Sequence, residues 1–153
     1  MNELKEIENI IQLFFQKTGF QIHNHELGIK KDTITLRIES NEPHSLIGKK
    51  GRTLNEIQYL LSIILKKRGI NYFFDLDINN YKKKKVEYLK ELARKTAEKV
   101  LLTKKEESLE PMPAYERKII HLELSQYNNI ETKSIGEGNN RKVTVRIKKF
   151  NII

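Results

Sequence analysis

A chain of 153 residues holds one ordinary domain or two small ones, each with a modest core. Lys and Arg number 29 against 20 Asp and Glu, a net charge of +9 that suits a polyanionic partner such as nucleic acid or an anionic membrane surface. The absence of cysteine excludes disulfides, thiolate nucleophiles and Cys-based zinc sites, and is compatible with a reducing cytosol.

The charge is uneven. Residues 1–78 carry 11 basic and 10 acidic side chains (net +1), residues 79–153 carry 18 and 10 (net +8), so the preference for a polyanion resides mainly in the second half. Glu3, Glu6 and Glu8 stand where a secretory leader would be basic, and the longest nearly apolar run, Tyr59 to Leu65, is far too short to span a bilayer. The expectation is a soluble, untargeted, cytoplasmic protein with no membrane insertion.

Over residues 3–18, Ile7, Ile10, Ile11, Phe14 and Phe15 recur at helical spacing, and Gly19 follows as a stop signal. Phe20 to Ile29 and Thr33 to Glu39 flank Lys30-Lys31-Asp32; the second run alternates Ile34, Leu36 and Ile38 inward with Thr35, Arg37 and Glu39 outward, which predicts a β-hairpin with one buried face. A short segment opened by Pro43 and Ser45 ends in Leu46-Ile47. Gly48-Lys49-Lys50-Gly51 comes next, then a helix from about Arg52 to Lys67 burying Leu54, Ile57, Leu61, Ile64 and Leu65. Residues 71–78, rich in aromatic and β-branched side chains, read as a strand. The second half predicts a helix over about 80–105, with Val86, Leu89, Leu92, Ala93, Ala97, Val100 and Leu101 as its stripe. Another follows over about 113–126, started by Pro111 and Pro113, with Ile119, Ile120, Leu122 and Leu124 as its apolar content. Strands over 130–135 and 142–147 are joined by Gly136-Glu137-Gly138-Asn139-Asn140, with Val143, Val145 and Ile147 facing inward.

A loop that lets a phosphate backbone approach closely needs glycines, because a Cβ would block the contact, while flanking amides and lysines meet the phosphates. Lys49 and Lys50 provide that charge between Gly48 and Gly51. The spacing is common by chance, so its context carries the reading: the tetrapeptide lies between helices inside the order helix, strand, strand, helix, helix, strand, which is the arrangement of a type II KH domain. The string LIGKKGRTLNEIQYLLSIILKKRG, continued by DLDINNYKKKKVEYLKELARKTAEKV, resembles the bacterial Jag/KhpB family, the SpoIIIJ-associated proteins. The resemblance implies an α+β protein in which a three-stranded sheet carries helices on one face. It implies that Gly48, Lys49, Lys50 and Gly51, with Arg52 opening the next helix, lie at the RNA backbone. Leu46, Ile47, Leu54 and Ile57 are candidates for an adjacent apolar groove or for ordinary core.

In EPMPAYERKIIHLEL, Arg117 and His121 are four apart and share one helical face, so a bidentate guanidinium and a ring donor are able to address one anionic group. That pair alone equally fits two unrelated surface residues. LEPMPAYERKIIHLEL followed by ETKSIGEGNNRKVTVRI resembles the R-three-H (Arg-x3-His) domain of the same family, whose members are regarded as single-stranded nucleic-acid binders. Arg117 and His121 are then the signature pair and Arg141 an auxiliary contact. Lys118 and His44 depart from the pattern, at points where relatives carry arginine and glycine.

The expected organisation is a KH domain over 1–78 and a small α/β R-three-H domain over 79–153, a short form without the N-terminal domain of longer relatives. The expected function is non-enzymatic binding of single-stranded RNA, with single-stranded DNA as the alternative ligand, in post-transcriptional regulation linked to cell-envelope growth or division. A scaffold acting through KH pairing, with a small KH-domain partner or a second copy, is the competing reading. A catalytic reading would need His121 with Glu116 or Glu123 as acid and base. No Walker loop or nucleophile motif accompanies them, His23 with His25 makes a poor metal pair, and neither metal nor cofactor is expected.

Overall fold

A computed structural model describes residues 2–150; residue 1 and residues 151–153, inside the expected ranges 1–78 and 79–153, lie outside the described residues. The chain divides into two compact units, the first ending at Lys82 and the second beginning at Lys83. Among the described residues no helix is long and apolar enough to cross a membrane.

The first unit begins with α1 (Asn2–Thr18), which buries Ile7, Ile11 and Phe15 and stops where Gly19, at φ +73°, donates its N–H to the Phe15 carbonyl. Strands β1 (Asn24–Lys30) and β2 (Thr33–Glu39) form the antiparallel hairpin. The pair Lys30↔Thr33 closes it, so its turn is Lys31-Asp32. β1 starts at Asn24 instead of Phe20 because Asn24 already pairs with Glu39, the last residue of β2. β3 (Phe73–Ile78) runs parallel to β2, giving the order β1-β2-β3. Parallel pairing requires a crossover, supplied by α2 (Pro43–Ile47), a 3-10 turn over Lys49–Gly51 and α3 (Arg52–Lys67). Ile34, Leu36, Ile38, Phe74, Leu76 and Ile78 project from one sheet face into the three helices. Ile64, expected in this core, is only half-buried.

The end of the sheet is closed by side chains. Asn79, at φ +50°, accepts the Ser40 N–H through Oδ1 and donates Nδ2 to the Ser40 carbonyl, both at 2.9 Å. One side-chain amide thereby extends the β2–β3 ladder by a residue. Buried Asp77 accepts the Lys82 N–H at 3.1 Å, capping the first turn of α4 (Tyr81–Thr103).

In the second unit α4 buries Leu89, Ala93, Thr96, Ala97 and Val100. The sheet is antiparallel, with β6 (Lys142–Ile147) between β5 (Ile130–Ile135) and a two-residue strand, β4 (Glu107–Ser108). β4 escapes a sequence reading because two polar residues have no periodicity. α5 (Ala114–Leu124) turns Ile120 and Leu124 into the core and leaves Leu122 60% exposed, which removes Leu122 from the expected apolar face.

Replacing Asn79 by Ala removes both bonds to Ser40 and leaves a Cβ-bearing residue at positive φ without local support. The first unit should lose about 2–3 kcal/mol, near the sum of two buried hydrogen bonds, with no change in denaturant m-value. Asn79→Asp, which keeps only the acceptor, should lose about half as much in the same urea titration.

Candidate nucleic-acid interface

In the first unit Gly48 adopts φ +70°, ψ −179°, a backbone region open essentially to glycine. A Cβ there would stand 2.2 Å from Thr53 Oγ1. Lys50 (φ +55°) and Gly51 (φ +79°) are both left-handed, and a Cβ on Gly51 would meet the Tyr81 ring at 2.9 Å. The tight turn of the loop thus has internal causes beside any ligand's approach. It leaves Lys49 and Lys50 exposed at the entrance to α3. Arg52 is exposed and pairs with Glu56 at 3.0 Å one turn along. Of the groove candidates, Leu46, Leu54 and Ile57 are core residues and Ile47 alone keeps surface. A cavity of about 560 Å³ on the strands of this unit is lined by Glu26, Glu39 and Asp77 with Arg37 and His25, a poor match for a phosphate.

The second unit gathers its expected residues at the seam between α5 and the edge strand β5. Arg117 Nε donates to the Met112 carbonyl at 3.1 Å, and the Met112 N–H donates to the Arg141 carbonyl at 3.1 Å. Arg141 donates Nη1 to the Gly136 carbonyl at 2.8 Å. His121 has Nδ1 2.7 Å from Thr132 Oγ1 and Nε2 2.7 Å from Ser134 Oγ. Partial burial pushes its imidazole pKa below the usual range, and the Arg117 and Arg141 charges push it the same way. Both effects favour the neutral ring, and both of its nitrogens are engaged. The sequence expectation is that it addresses the same anion as Arg117; in the structure each ring nitrogen has a hydroxyl of β5 within hydrogen-bond distance. Thr132 and Ser134 were missed; the signal available was two hydroxyls at alternate positions of one predicted strand, legible only once β5 is known to face α5.

Residues 5–76 match the KhpA/KhpB KH-domain model and residues 87–146 the R-three-H domain model. RNA-binding protein KhpB of Clostridium symbiosum is 39% identical over 148 residues, covering 96% of this chain and 67% of that protein. The chain belongs to the Jag/KhpB family. RNA-binding protein KhpB of Bacillus subtilis (strain 168) is 43% identical over 122 residues, 78% of this chain and 59% of that protein. The namesake of Lactiplantibacillus plantarum is 36% identical over 133 residues, 81% of this chain but 41% of its own length. The chain thus spans between about two fifths and two thirds of these relatives.

In this KhpB-family chain, ion pairing separates the cations that the sequence left equivalent. Lys82 donates to Asp75 and Gln58, Lys85 meets Glu116 at 3.7 Å, and Arg146 meets Glu131 at 2.8 Å. Those three are therefore less available than the uneven charge implied. Arg94 meets Glu123 at 2.7 Å, so both carboxylates that a catalytic His121 would need are held by cations. Arg117 and Arg141 make no ion pair among the described residues; each anchors one nitrogen on a backbone carbonyl and keeps its other donors.

Gly48→Ala should destabilise the first unit by about 2–3 kcal/mol through backbone strain alone, and more if Thr53 fails to move, as read by chemical denaturation. For His121 the folded pKa lies below the ordinary 6.5, so below that value the unfolded chain takes up a proton that the folded chain refuses. The stability this group supplies is complete above its unfolded pKa and is lost as pH falls through its folded one. His121→Gln should remove that part of the pH dependence, seen as a flatter stability curve below about pH 6.5 than the parent's.

Proposed function

We propose that the chain is a non-enzymatic single-stranded RNA-binding protein that holds the phosphate backbone at the Gly48–Gly51 loop in one unit and at the α5–β5 seam in the other. The observation that carries the reading is the pair Arg117 and Arg141, which make no ion pair among the described residues and each anchor one nitrogen on a backbone carbonyl while keeping their other donors. Arginine suits this role because its fork matches phosphate oxygens. The loop adds Lys49, Lys50 and Arg52 and reads unstacked bases beside it through Ile47. Single-stranded DNA offers the same phosphates and is the alternative ligand. The engaged ring of His121 supports a binder over a catalyst, and neither metal nor cofactor enters the reading. The names of the relatives support RNA as the physiological ligand. We place the protein in the bacterial cytoplasm as a post-transcriptional regulator linked to cell-envelope growth or division.

A second reading, a scaffold pairing with a small KH-domain protein or a second copy, is favoured by Tyr59 and Leu60, 66% and 49% exposed on α3. Light scattering of the chain and of Leu60→Lys tests it: a dimer that Leu60→Lys dissociates would support pairing through this face.

Two variants test RNA binding by fluorescence anisotropy across a salt series. Lys49→Asp with Lys50→Asp should fold and bind single-stranded RNA more weakly; parental affinity would remove the loop from the interface. Arg117→Ala with Arg141→Ala should cost at least about 1–2 kcal/mol and flatten the slope of log K against log salt by roughly 0.7–1.4, the loss of one or two phosphate contacts. An unchanged slope would return these arginines to a structural role.

A further inference from the structure

The two bonds of His121 force a division of roles on β5. A neutral imidazole has one N–H and one lone pair. The hydroxyl that accepts the ring N–H keeps its own proton for a third group, whereas the hydroxyl that donates to the ring keeps only lone pairs. Thr132 and Ser134 pair in register with Val145 and Val143, two fully buried residues, so both hydroxyls lie on the face that α5 covers, and both are only half-buried. Arg141, two residues before Val143, belongs to that face, and Arg117 lies one helical turn before His121. One donor hydroxyl and two anchored guanidiniums therefore open on a common edge.

We propose that Ser134 and Thr132 complete, with Arg117 and Arg141, a pocket for a phosphodiester of single-stranded RNA, in which His121 is a positioning residue that sets which hydroxyl offers its proton to the anion. This rests on the RNA-binding reading above. It has a proton-linked consequence. If the ring is protonated, both nitrogens donate, both hydroxyls become free to donate, and a positive charge joins the pocket. A phosphate offsets the repulsion of Arg117, on the same helix, and Arg141, before β6. Glu131 and Lys133 alternate to the other face of β5, Glu131 is paired with Arg146, and on α5 Glu116 and Glu123 are paired with Lys85 and Arg94. Lys118, next to Arg117 on α5, is exposed. Phosphate binding therefore favours protonated His121, and by reciprocity lower pH tightens binding.

The test uses the whole chain and a 5′-hydroxyl oligouridylate of about a dozen nucleotides, which offers internal phosphodiesters only. Anisotropy is read at about pH 8 and about pH 5.5, either side of the histidine range. At the higher pH one of Ser134→Ala and Thr132→Val should bind about tenfold more weakly while the other stays within about twofold of the parent, as expected for one charge-assisted hydrogen bond. At the lower pH both should weaken. The parent should bind more tightly at the lower pH, with His121→Gln losing most of that gain. In the unsubstituted chain, ring ¹⁵N shifts should show the His121 titration midpoint moving to higher pH when RNA is added. Two folded variants that bind like the parent at both pH values overturn the proposal. So does a midpoint that RNA leaves in place, a result that needs no variant to fold. RNA binding with idle hydroxyls would sink this pocket alone; no RNA binding by the parent would sink it together with the RNA-binding reading.

Discussion

Each unit must bury one face of a three-stranded sheet with few residues, and that constraint places both candidate sites. A small domain lacks the chain to cover both faces, so its helices gather on one side and its polar chemistry lies on the open face or along the seams. In the first unit the parallel pairing of β2 with β3 demands a crossover, and the glycine loop lies within it, between α2 and α3. In the second unit the edge strand β5 leaves one side of its covered face unpaired by another strand. His121 closes that edge by reaching from α5 to Thr132 and Ser134.

Net charge by half does not distinguish paired cations from unpaired ones. The second half carries most of the excess, yet Lys85, Arg94, Lys95, Lys99 and Arg146 are each matched with a carboxylate. The exposed pairs among them, such as Lys95 with Glu91, add little to stability, with a median near 0–1 kcal/mol. Their effect is on the field: they cancel attraction where they occur, whereas Arg117 and Arg141 make no ion pair among the described residues and both push the His121 pKa down, as partial burial also does.

The glycine loop shows how one sequence feature has two physical causes. The reading from sequence assigned the glycines to the close approach of a phosphate backbone. The structure supplies an internal requirement as well, since Gly48 occupies a backbone region closed to other residues and Gly51 packs against Tyr81. A loop whose shape is set by its own packing has its backbone in place before any ligand arrives, which lowers the entropy lost on binding.

What the sequence by itself determined is the local layer: α1 and α3 with their buried stripes, the hairpin with Ile34, Leu36 and Ile38 inward, the glycine loop between helices, and Arg117 and His121 on one helical face. Each of these is encoded within a few neighbouring residues, because helical and strand periodicities repeat every two to four positions. Only the tertiary structure decided the parallel partner of β2, the short strand β4, the exposure of Leu122, the capture of Lys82 by Asp75, and the two hydroxyls that hold the His121 ring. These depend on which elements lie side by side. His121 is 11 and 13 residues from its two partners, and Arg37 is 38 from Asp75. At such separations strand register and helix placement select the contact, and no local periodicity carries that information.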